Sequence, residues 1–326
     1  MADFPDRSKN KIRIICSPTM LDLGKQVERA YPDHFAFAEV EWKAFPDGFP
    51  NLFIEDVHEL RGKDVYFFSS LLDACEVFAQ MAVMYSLPRY LVRSLTVVLP
   101  YFPTATMERI DKEGQVCTAM TLVRMLGAIP LTQSGAAKVM VYDIHTVQNR
   151  FYFGDSVIPL LVSAIPLFLD TLEKNHSHEE IAIAFPDAGA RKRFGSFFSK
   201  YEVIVCSKIR KGDKREVRVV EGEPSNKHVF IVDDLVMSGG TLIECGKALK
   251  LQNASKLSIF VTHAIFPEGS WKKFTEKPHV FSKIYITDSV GRGEKGEGVG
   301  NFADEEPFHV IPLGESVGKN ILSFCV

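Results

Sequence analysis

Two adjacent carboxylates, Asp233 and Asp234, open the stretch of this sequence whose residue types are best suited to chemistry. They follow the apolar run Val229–Val232, which is typical of a strand buried on both faces of a parallel sheet. Ser238–Thr241, with the sequence S-G-G-T, comes next and leads into a segment with helical spacing. Backbone N–H groups at such a helix start favour a phosphate, and glycine lets the backbone approach it closely. This order predicts a phosphate site beside two acids that reach the vicinal hydroxyls of a sugar, directly or through a metal ion.

The small-residue loop is not a Walker A motif. The nearest match, from Gly240 to Gly246 and Lys247, has one residue too many, and Ala248 stands where Ser or Thr is required. The alternative is an ordinary strand–turn–helix unit with a solvated acidic pair. We favour the ligand site, because the acids, their spacing and the Gly-Gly-Thr sequence coincide.

Two further acidic stretches also follow predicted strands. Asp143 and His145 are two residues apart, so a carboxylate and an imidazole can meet one divalent ion there, although a lone histidine is commonly structural. Asp187 lies in the sequence F-P-D-A-G-A, at the carboxyl end of a predicted parallel strand. Ligands of open α/β sheets bind at that edge, which makes Asp187 a candidate ligand residue.

Basic residues are concentrated in two segments. Arg191–Arg193 is predicted to open a helix, where cations oppose the helix dipole, so an anion is expected nearby. The range Lys208–Arg218 is predicted to be a basic loop that closes over phosphates, with Lys208 and Arg210 aimed by the preceding strand Val203–Cys206. A solvated charged hairpin is the alternative. Nucleic-acid binding is a third interpretation, but the patch is local and lacks interleaved aromatic residues.

Composition limits the classes of protein. The chain has 326 residues, 46% of them hydrophobic, and a net charge of −3, which predicts neither nucleic-acid nor membrane partners. No apolar stretch resembles a signal peptide or a membrane span. The six cysteines form no C-x-x-C pair, which argues against zinc and disulfide frameworks and fits a reducing compartment, so we expect a cytoplasmic protein.

Strand-like and helix-like segments alternate along the chain, which predicts an α/β fold with parallel sheets flanked by helices. The strands fall into two runs, so we expect two similar domains, residues 1–160 and 161–326. The last strand and helix, about 308–326, can instead pack back on the first domain. Phe35–Val40 is predicted as one strand, Phe45–Asn51 as a shaped loop and Val157–Leu172 as a helix.

Several motifs in a fixed order resemble those of the ribose-phosphate diphosphokinase family, and within it the class II, plant-type form. They are F-P-D-G-F-P-N-L-F (45–53), L-P-Y-F-P-T (99–104), Y-D-I-H (142–145), R-F-Y-F (150–153), F-P-D-A-G-A (185–190), K-I-R-K-G-D-K-R (208–215), V-D-D-L-V-M-S-G-G-T-L-I-E-C (232–245) and I-T-D-S (286–289). The resemblance implies two phosphoribosyltransferase-like (Rossmann-like) domains with the active site between them. It also implies transfer of the β,γ-diphosphoryl group of Mg²⁺-ATP to O1 of ribose 5-phosphate, with release of AMP, by a trimeric or hexameric homo-oligomer.

The resemblance further implies roles for individual residues. Those implied for ATP are Phe45, Asp47, Asn51, Arg109 and His145, the first two from a neighbouring subunit. Those implied for ribose 5-phosphate are Asp187, Asp233, Asp234, Ser238, Gly239, Gly240 and Thr241. Those implied for Mg²⁺ are Asp143, His145 and Asp187. The implied catalytic cations are Lys208 and Arg210.

The sequence departs from the class I pattern at two places. Thr106, Met107 and Glu108 replace an Arg-Gln-Asp sequence, and Met237 stands where class I has an aspartate. The acid role therefore falls to Asp233 and Asp234, and the class I responses to phosphate and ADP are not expected. Two alternatives stay open: a phosphoribosyltransferase that consumes phosphoribosyl diphosphate, and a non-catalytic regulatory subunit.

Overall fold

The computed structural model describes residues 11–103, 107, 110–146, 152–211, 214–277, 279–291, 302–303 and 305–324, with the backbone alone at 208–211 and 214–216. The chain divides into two compact units, Met1–Val162 with Leu313–Val326 (unit 1) and Ser163–Pro312 (unit 2). Across the described residues, every helix is too short or too polar to cross a bilayer.

The elements of the described residues alternate as the sequence predicts. In chain order the strands are β1 (Ile12–Cys16), β2 (Phe35–Phe37), β3 (Val40–Ala44), β4 (Pro50–Ile54), β5 (Asp64–Phe68), β6 (Ser94–Val98), β7 (Ala137–Tyr142), β8 (Val157–Val162), β9 (Ile181–Phe185), β10 (Glu202–Lys211), β11 (Lys214–Glu221), β12 (His228–Val236), β13 (Lys256–Ala264), β14 (Lys283–Thr287) and β15 (Phe308–Ile311). The helices are α1 (Leu21–Ala30), α2 (Ala74–Ser86), α3 (Thr118–Gly127), α4 (Ile165–Asn175), α5 (Ala188–Phe194), α6 (Gly240–Leu251), α7 (Lys272–Thr275) and α8 (Gly314–Phe324).

Unit 1 is built on a six-stranded parallel sheet in the order β2-β1-β5-β6-β7-β8. All but one residue in each of its strands β5, β6 and β7 is buried, as expected when helices cover both faces. Helix α8 packs against α1 at two glycines. A β-carbon at Gly314 would meet Gln26, and one at Gly318 would meet the ring of Tyr31, so these helices approach more closely than larger residues allow.

Unit 2 is built on a seven-stranded sheet in the order β11-β10-β9-β12-β13-β14-β15. All neighbouring strands are parallel except β10 and β11, which form an antiparallel pair at one edge. The chain runs from β9 outward to β10 and then returns to the other side of β9 as β12. The sheet order therefore reverses between β9 and β12, and ligands of such sheets bind outside the carboxyl ends of the strands at this point. Both units have the predicted α/β class.

The prediction of a helix over Val157–Leu172 is wrong in its first part. Residues Val157–Val162 form the edge strand β8, which pairs with β7, and the helix α4 begins only at Ile165. Pro159 is compatible with this position, because an edge strand has one side without ladder hydrogen bonds. A short apolar run does not distinguish a buried strand from a helix by its periodicity, which explains the error.

The prediction of one strand over Phe35–Val40 is also wrong. Strand β2 ends at Phe37, and β3 begins at Val40 and pairs with β4 in a separate antiparallel hairpin. The predicted loop Phe45–Asn51 contains the turn of this hairpin, and its last residues already belong to β4.

Candidate active site

The acidic pair lies inside strand β12, which continues past the predicted end at Val232 to Val236. Asp234 is buried, with 1% of its surface exposed, and the side chain of Asp233 is 18% exposed. The Oδ1 atom of Asp233 accepts a hydrogen bond of 2.9 Å from the backbone N–H of Asp234. Because β12 borders the point where the sheet order reverses, both carboxyls lie at the edge where ligands bind.

Arg193 on helix α5 is the counterion of this pair. Its guanidinium Nη2 donates to Oδ1 of Asp234 at 2.8 Å and lies 3.5 Å from Oδ1 of Asp233. The side chain of Arg193 is itself only 16% exposed, so this ion pair is largely removed from water. One guanidinium thus faces two carboxyls, and the three groups carry a net negative charge when both acids are ionised.

The two acids do not titrate independently. Burial raises the pKa of Asp233, the charge of Asp234 raises it further, and Arg193 opposes the rise. Burial lowers the pKa of Arg193, but its hydrogen bond to Asp234 and the nearby carboxylates more than offset this and raise it. The pair is therefore suited to a ligand that brings hydrogen-bond donors or positive charge, such as sugar hydroxyls or a metal ion.

The turn Ser238–Thr241 joins β12 to helix α6, which begins at Gly240. Gly239 has a φ of +79°, and a β-carbon there would lie 2.4 Å from the ring of Phe274, so glycine is required on both grounds. No side chain caps the N-terminus of α6, and its first turn contains no acidic residue. The N–H groups of that first turn can therefore bind an anion.

Residues after strand β13 hold this turn in place. The hydroxyl of Ser270 donates to the carbonyl of Met237 at 3.1 Å, and Lys273 Nζ donates to the carbonyl of Ser238 at 3.2 Å. These bonds satisfy the carbonyl oxygens of Met237 and Ser238 and tie the turn to the segment after β13. Ser270, Lys273 and Phe274 have no motif signal in the sequence and escape prediction from it.

Asp187 follows β9 and forms the N-cap of helix α5, with its Oδ1 accepting from the N–H of Ala190 at 2.9 Å. The residue is exposed, and strand β9 neighbours β12 in the sheet. Its charge contributes to the raised pKa of Arg193. The carboxyl edge of unit 2 thus brings together Asp187, the acidic pair and the turn Ser238–Thr241.

The expected placement of Arg191–Arg193 at a helix start is wrong. Helix α5 begins at Ala188, so these cations lie in its last turn, where they are favourable with the helix dipole. The inferred anion is nevertheless present, because Arg193 pairs with the two carboxyls described above. Arg191 instead forms an exposed ion pair with Glu221. The sequence indicates Arg193 as a cation close to an anion but does not identify it as the partner of the acidic pair.

The prediction that Lys208 and Arg210 lie in a loop is wrong. Strand β10 extends through both residues to Lys211 and pairs with β11, with Lys208 opposite Val217 and Arg210 opposite Arg215. This antiparallel pairing agrees with the charged hairpin given above as the alternative to a loop. The side chains of Lys208 and Arg210 lie outside the described residues, and so does the whole of Gly212.

In unit 1, Asp143 and His145 follow strand β7. Asp143 is 7% exposed, has a φ of 37° and donates its N–H to the carbonyl of Val162 at 2.9 Å. His145 is half-buried two residues later. The positive φ of a residue that is not glycine marks a strained backbone, and such strain is concentrated at functional sites.

The other residues implied for ATP lie on the β3–β4 hairpin or outside the described residues. Phe45 and Asp47 are in the hairpin turn, where Oδ1 of Asp47 accepts from the N–H of Phe49 at 3.1 Å. Half of the surface of Phe45 is exposed, at 51%. Asn51 is on β4, opposite Lys43. Arg109 lies outside the described residues.

Comparisons with known proteins follow the same division of the chain. The profile of the N-terminal domain of ribose phosphate pyrophosphokinase matches residues 12–129, and that of the phosphoribosyl transferase domain matches residues 174–288. Ribose-phosphate pyrophosphokinase 4 of Arabidopsis thaliana is 44% identical over 313 residues, which cover 95% of this chain and 91% of that protein. The chloroplastic ribose-phosphate pyrophosphokinase 3 of Oryza sativa subsp. japonica is 44% identical over 316 residues, 95% of this chain and 76% of that protein.

A solved structure has the same fold. Phosphoribosylpyrophosphate synthetase from Mycobacterium smegmatis superposes with a TM-score of 0.79 at 18% identity, over 97% of this chain and 99% of that chain. At this identity the likeness extends to the fold, in agreement with the predicted pair of α/β domains.

Proposed function

The chain belongs to the ribose-phosphate pyrophosphokinase family, and we propose from this membership how its residues hold the two substrates. The enzyme transfers the β,γ-diphosphoryl group of ATP to O1 of ribose 5-phosphate, which gives 5-phosphoribosyl 1-diphosphate and AMP for nucleotide biosynthesis. The alternative of a phosphoribosyltransferase that consumes this product is wrong, because the N-terminal profile and the relatives that match over 95% of this chain both belong to the synthetase.

Ribose 5-phosphate binds at the carboxyl edge of unit 2. Its 5-phosphate accepts hydrogen bonds from the first turn of α6 and from Ser238 and Thr241, while its ring hydroxyls donate to Asp233 and Asp234. The observation that supports this most directly is the uncapped start of α6, a few residues along the chain from the buried acidic pair. A sugar phosphate presents an anion and vicinal donors at such a spacing, which a simple anion does not.

Arg193 acts here as a positioning residue. Its charge opposes the rise in the pKa of Asp233 that burial causes and so favours a carboxylate that can accept hydrogen bonds from the sugar hydroxyls. Its hydrogen bond to Asp234 also fixes the side chain that is less exposed to water. Loss of Arg193 is therefore expected to weaken sugar binding without removing a direct contact to the sugar.

ATP is held by residues of unit 1 together with Mg²⁺. Asp143, His145 and Asp187 are the residues proposed for Mg²⁺, and the two carboxylates match the preference of this ion for oxygen. His145 is also proposed to contact the phosphates of ATP. When bound, Mg²⁺ neutralises charge on the phosphates. Phe45 offers an exposed ring for the adenine base, with Asp47, Asn51 and Arg109 as further polar partners.

Lys208 and Arg210 are the proposed catalytic cations. As O1 bonds to the β-phosphorus and the bond to the AMP oxygen breaks, negative charge grows on the leaving phosphate and spreads over the transferred group. Preorganised cations stabilise that charge more in the transition state than in the bound substrates. Their place on strand β10 supports this role, because β10 runs parallel to β9 with Val205 opposite Phe185 and then continues beyond the carboxyl end of β9, which Asp187 follows.

The assembly and the compartment are also part of the proposal. We expect a homo-oligomer, trimeric or hexameric, in which the β3–β4 hairpin serves a neighbouring subunit. Exposed aromatic rings support this. Phe45, Phe49 and Phe53 of the hairpin segment are exposed, and the ring of Phe49 lies 6.1 Å from the exposed ring of Phe78. The cytoplasm is the proposed compartment on the basis of the cysteine pattern, while the name of one relative given above places that protein in the chloroplast.

The phosphate cradle can be tested by kinetics of AMP formation. Thr241→Val removes a hydroxyl at nearly constant shape and should raise the Michaelis constant for ribose 5-phosphate by roughly 10- to 150-fold, the equivalent of about 1.5–3 kcal/mol for one hydrogen bond to a charged group. The Michaelis constant for ATP should stay within about twofold. Glu244→Gln, on the exposed side of the same helix and paired with Lys247, is the matched control. A rise in the ATP constant alone would remove this turn from the sugar-phosphate site.

A further inference from the structure

Unit 2 carries a second cluster of polar side chains, at the edge of the sheet opposite the acidic pair. His176 follows the end of helix α4, Glu179 lies in the next turn, and His228 is the first residue of β12. Asp233 is five residues further along that strand, about 17 Å away at roughly 3.3 Å per residue. This cluster is therefore separate from the proposed substrate site.

The three side chains point potential ligand atoms at one another. One ligand atom from each of them lies within 4.8 Å of the other two. The Nδ1 atom of His176 is 3.1 Å from Oε1 of Glu179, and Nδ1 of His228 is hydrogen-bonded to Oε2 of the same carboxylate. The two imidazoles thus approach one carboxylate from different elements of the fold, as in a site with two histidines and one carboxylate.

The outward ring nitrogens are held by a second layer of groups. Nε2 of His176 is 2.8 Å from the hydroxyl of Tyr285, and Nε2 of His228 is 2.8 Å from the hydroxyl of Ser258. Hydroxyls can accept as well as donate, so each ring can carry its proton on Nε2 and turn an unprotonated Nδ1 inward. Histidine ligands of metals are oriented by such partners.

Solvent reaches the cluster through a cavity. A cavity of about 410 Å³ is lined by His176 and Glu179, together with Leu172, Ile181 and Tyr201. The two histidines are buried, at 6% and 4% exposure, while the side chain of Glu179 is 35% exposed. An ion can thus enter on the side of the carboxylate, and water can fill its remaining coordination positions.

One cation opposes binding. Lys256 Nζ lies 3.6 Å from Oε1 of Glu179, where it would repel a metal ion. The side chain of Lys256 is 42% exposed, so it can turn into solvent when a metal arrives. This arrangement predicts that removal of the lysine charge strengthens metal binding.

We propose that His176, Glu179 and His228 form a site for a divalent transition-metal ion of the zinc class, separate from the Mg²⁺ of the reaction. Two imidazole nitrogens and one carboxylate favour Zn²⁺, Co²⁺ or Ni²⁺ over Mg²⁺ and Ca²⁺, which prefer oxygen ligands only. The ion joins the turn after α4 to the start of β12 and so fastens the amino edge of the sheet.

The test uses Co²⁺ with the full chain, stripped of metals by a chelator and kept in excess Mg²⁺. Mg²⁺ is spectroscopically silent, whereas Co²⁺ held by protein nitrogens gains intense visible absorption. We expect one equivalent of Co²⁺ to bind, to be displaced by Zn²⁺, and to bind at least about tenfold more weakly in His228→Ala, as for loss of a ligand's hydrogen-bond partner alone. The Lys256→Gln variant should bind Co²⁺ several-fold more tightly than the unmodified chain.

Two controls separate this site from the rest of the chain. His178→Ala removes an exposed histidine next to the cluster and should leave the titration unchanged. His145→Ala alters the proposed ATP side and should also leave it unchanged, so failure here is distinguishable from failure of the proposed function. The proposal is overturned if no Co²⁺ absorption appears up to about 1 mM, the range of weak cation sites. It is also overturned if the signal survives in His228→Ala, or if Lys256→Gln fails to tighten binding.

Discussion

Replacement of Arg193 by methionine should destabilise the protein strongly, because it leaves a buried carboxylate without its counterion. The guanidinium lies 2.8 Å from Asp234, and the two side chains are 16% and 2% exposed, so solvent screens the pair little. Removal of one partner from a buried pair costs about 3–5 kcal/mol. The contact to Asp233 at 3.5 Å is at the limit of an ion pair and contributes less.

The matched control lies on the same helix. Arg191 pairs with Glu221, but these side chains are 45% and 51% exposed, so Arg191→Met should cost no more than about 1 kcal/mol. Urea unfolding followed by circular dichroism measures both values. Asp234→Asn should recover part of the loss in an Arg193→Met background, because it removes the uncompensated charge. If Arg193→Met costs no more than Arg191→Met, the acidic pair is not held by a buried guanidinium and the reasoning fails.

Three further predictions concern other residues of unit 2. Asp233→Asn should raise the thermal midpoint of unfolding at pH 7. Burial raises the folded-state pKa of Asp233, so ionisation of this group destabilises the fold at pH values above its unfolded-state pKa. The difference in midpoint between the variant and the unmodified protein should therefore shrink toward pH 4, as measured by scanning calorimetry at both pH values. Gly239→Ala should cost at least about 1–2 kcal/mol for the left-handed backbone alone, plus the clash with Phe274, as measured by urea unfolding. Lys208→Ala should lower turnover by on the order of 10²–10⁴-fold with small changes in Michaelis constants, and turnover within about threefold of the unmodified enzyme would exclude a catalytic role.

Local patterns in the sequence predict those parts of the site that lie close together in the chain. The acids, the S-G-G-T turn and helix α6 are contiguous, so their types and spacing predict a phosphate and sugar site without knowledge of the fold. Asp187 could be added because the carboxyl ends of parallel strands meet at one edge.

Features that depend on pairing between distant segments could not be predicted from local sequence patterns. Val157–Val162 forms a strand because it pairs with β7, and local periodicity does not report such pairing. The extension of β10 through Lys208 and Arg210 likewise depends on β11 as partner.

Arg193 was visible as a cation but not as the partner of the acidic pair, since α5 begins earlier than the sequence suggested. Cys206 and Cys245 are a similar case. The sequence presents them as distant residues, whereas their sulfur atoms lie 3.3 Å apart in the core of unit 2. The cluster of His176, Glu179 and His228 joins residues from the end of a helix and the start of a strand 52 positions later, and no motif connects them.

The most direct test of the central claim is the separation of the two Michaelis constants in Asp234→Asn and Asp233→Asn. If the acidic pair holds the sugar, both variants should raise the constant for ribose 5-phosphate by at least about tenfold, the equivalent of roughly 1.4 kcal/mol, and change that for ATP by less than about twofold. Folding of each variant is confirmed by circular dichroism. A rise confined to the ATP constant, or no change in either, would contradict the assignment of this edge of the sheet to ribose 5-phosphate.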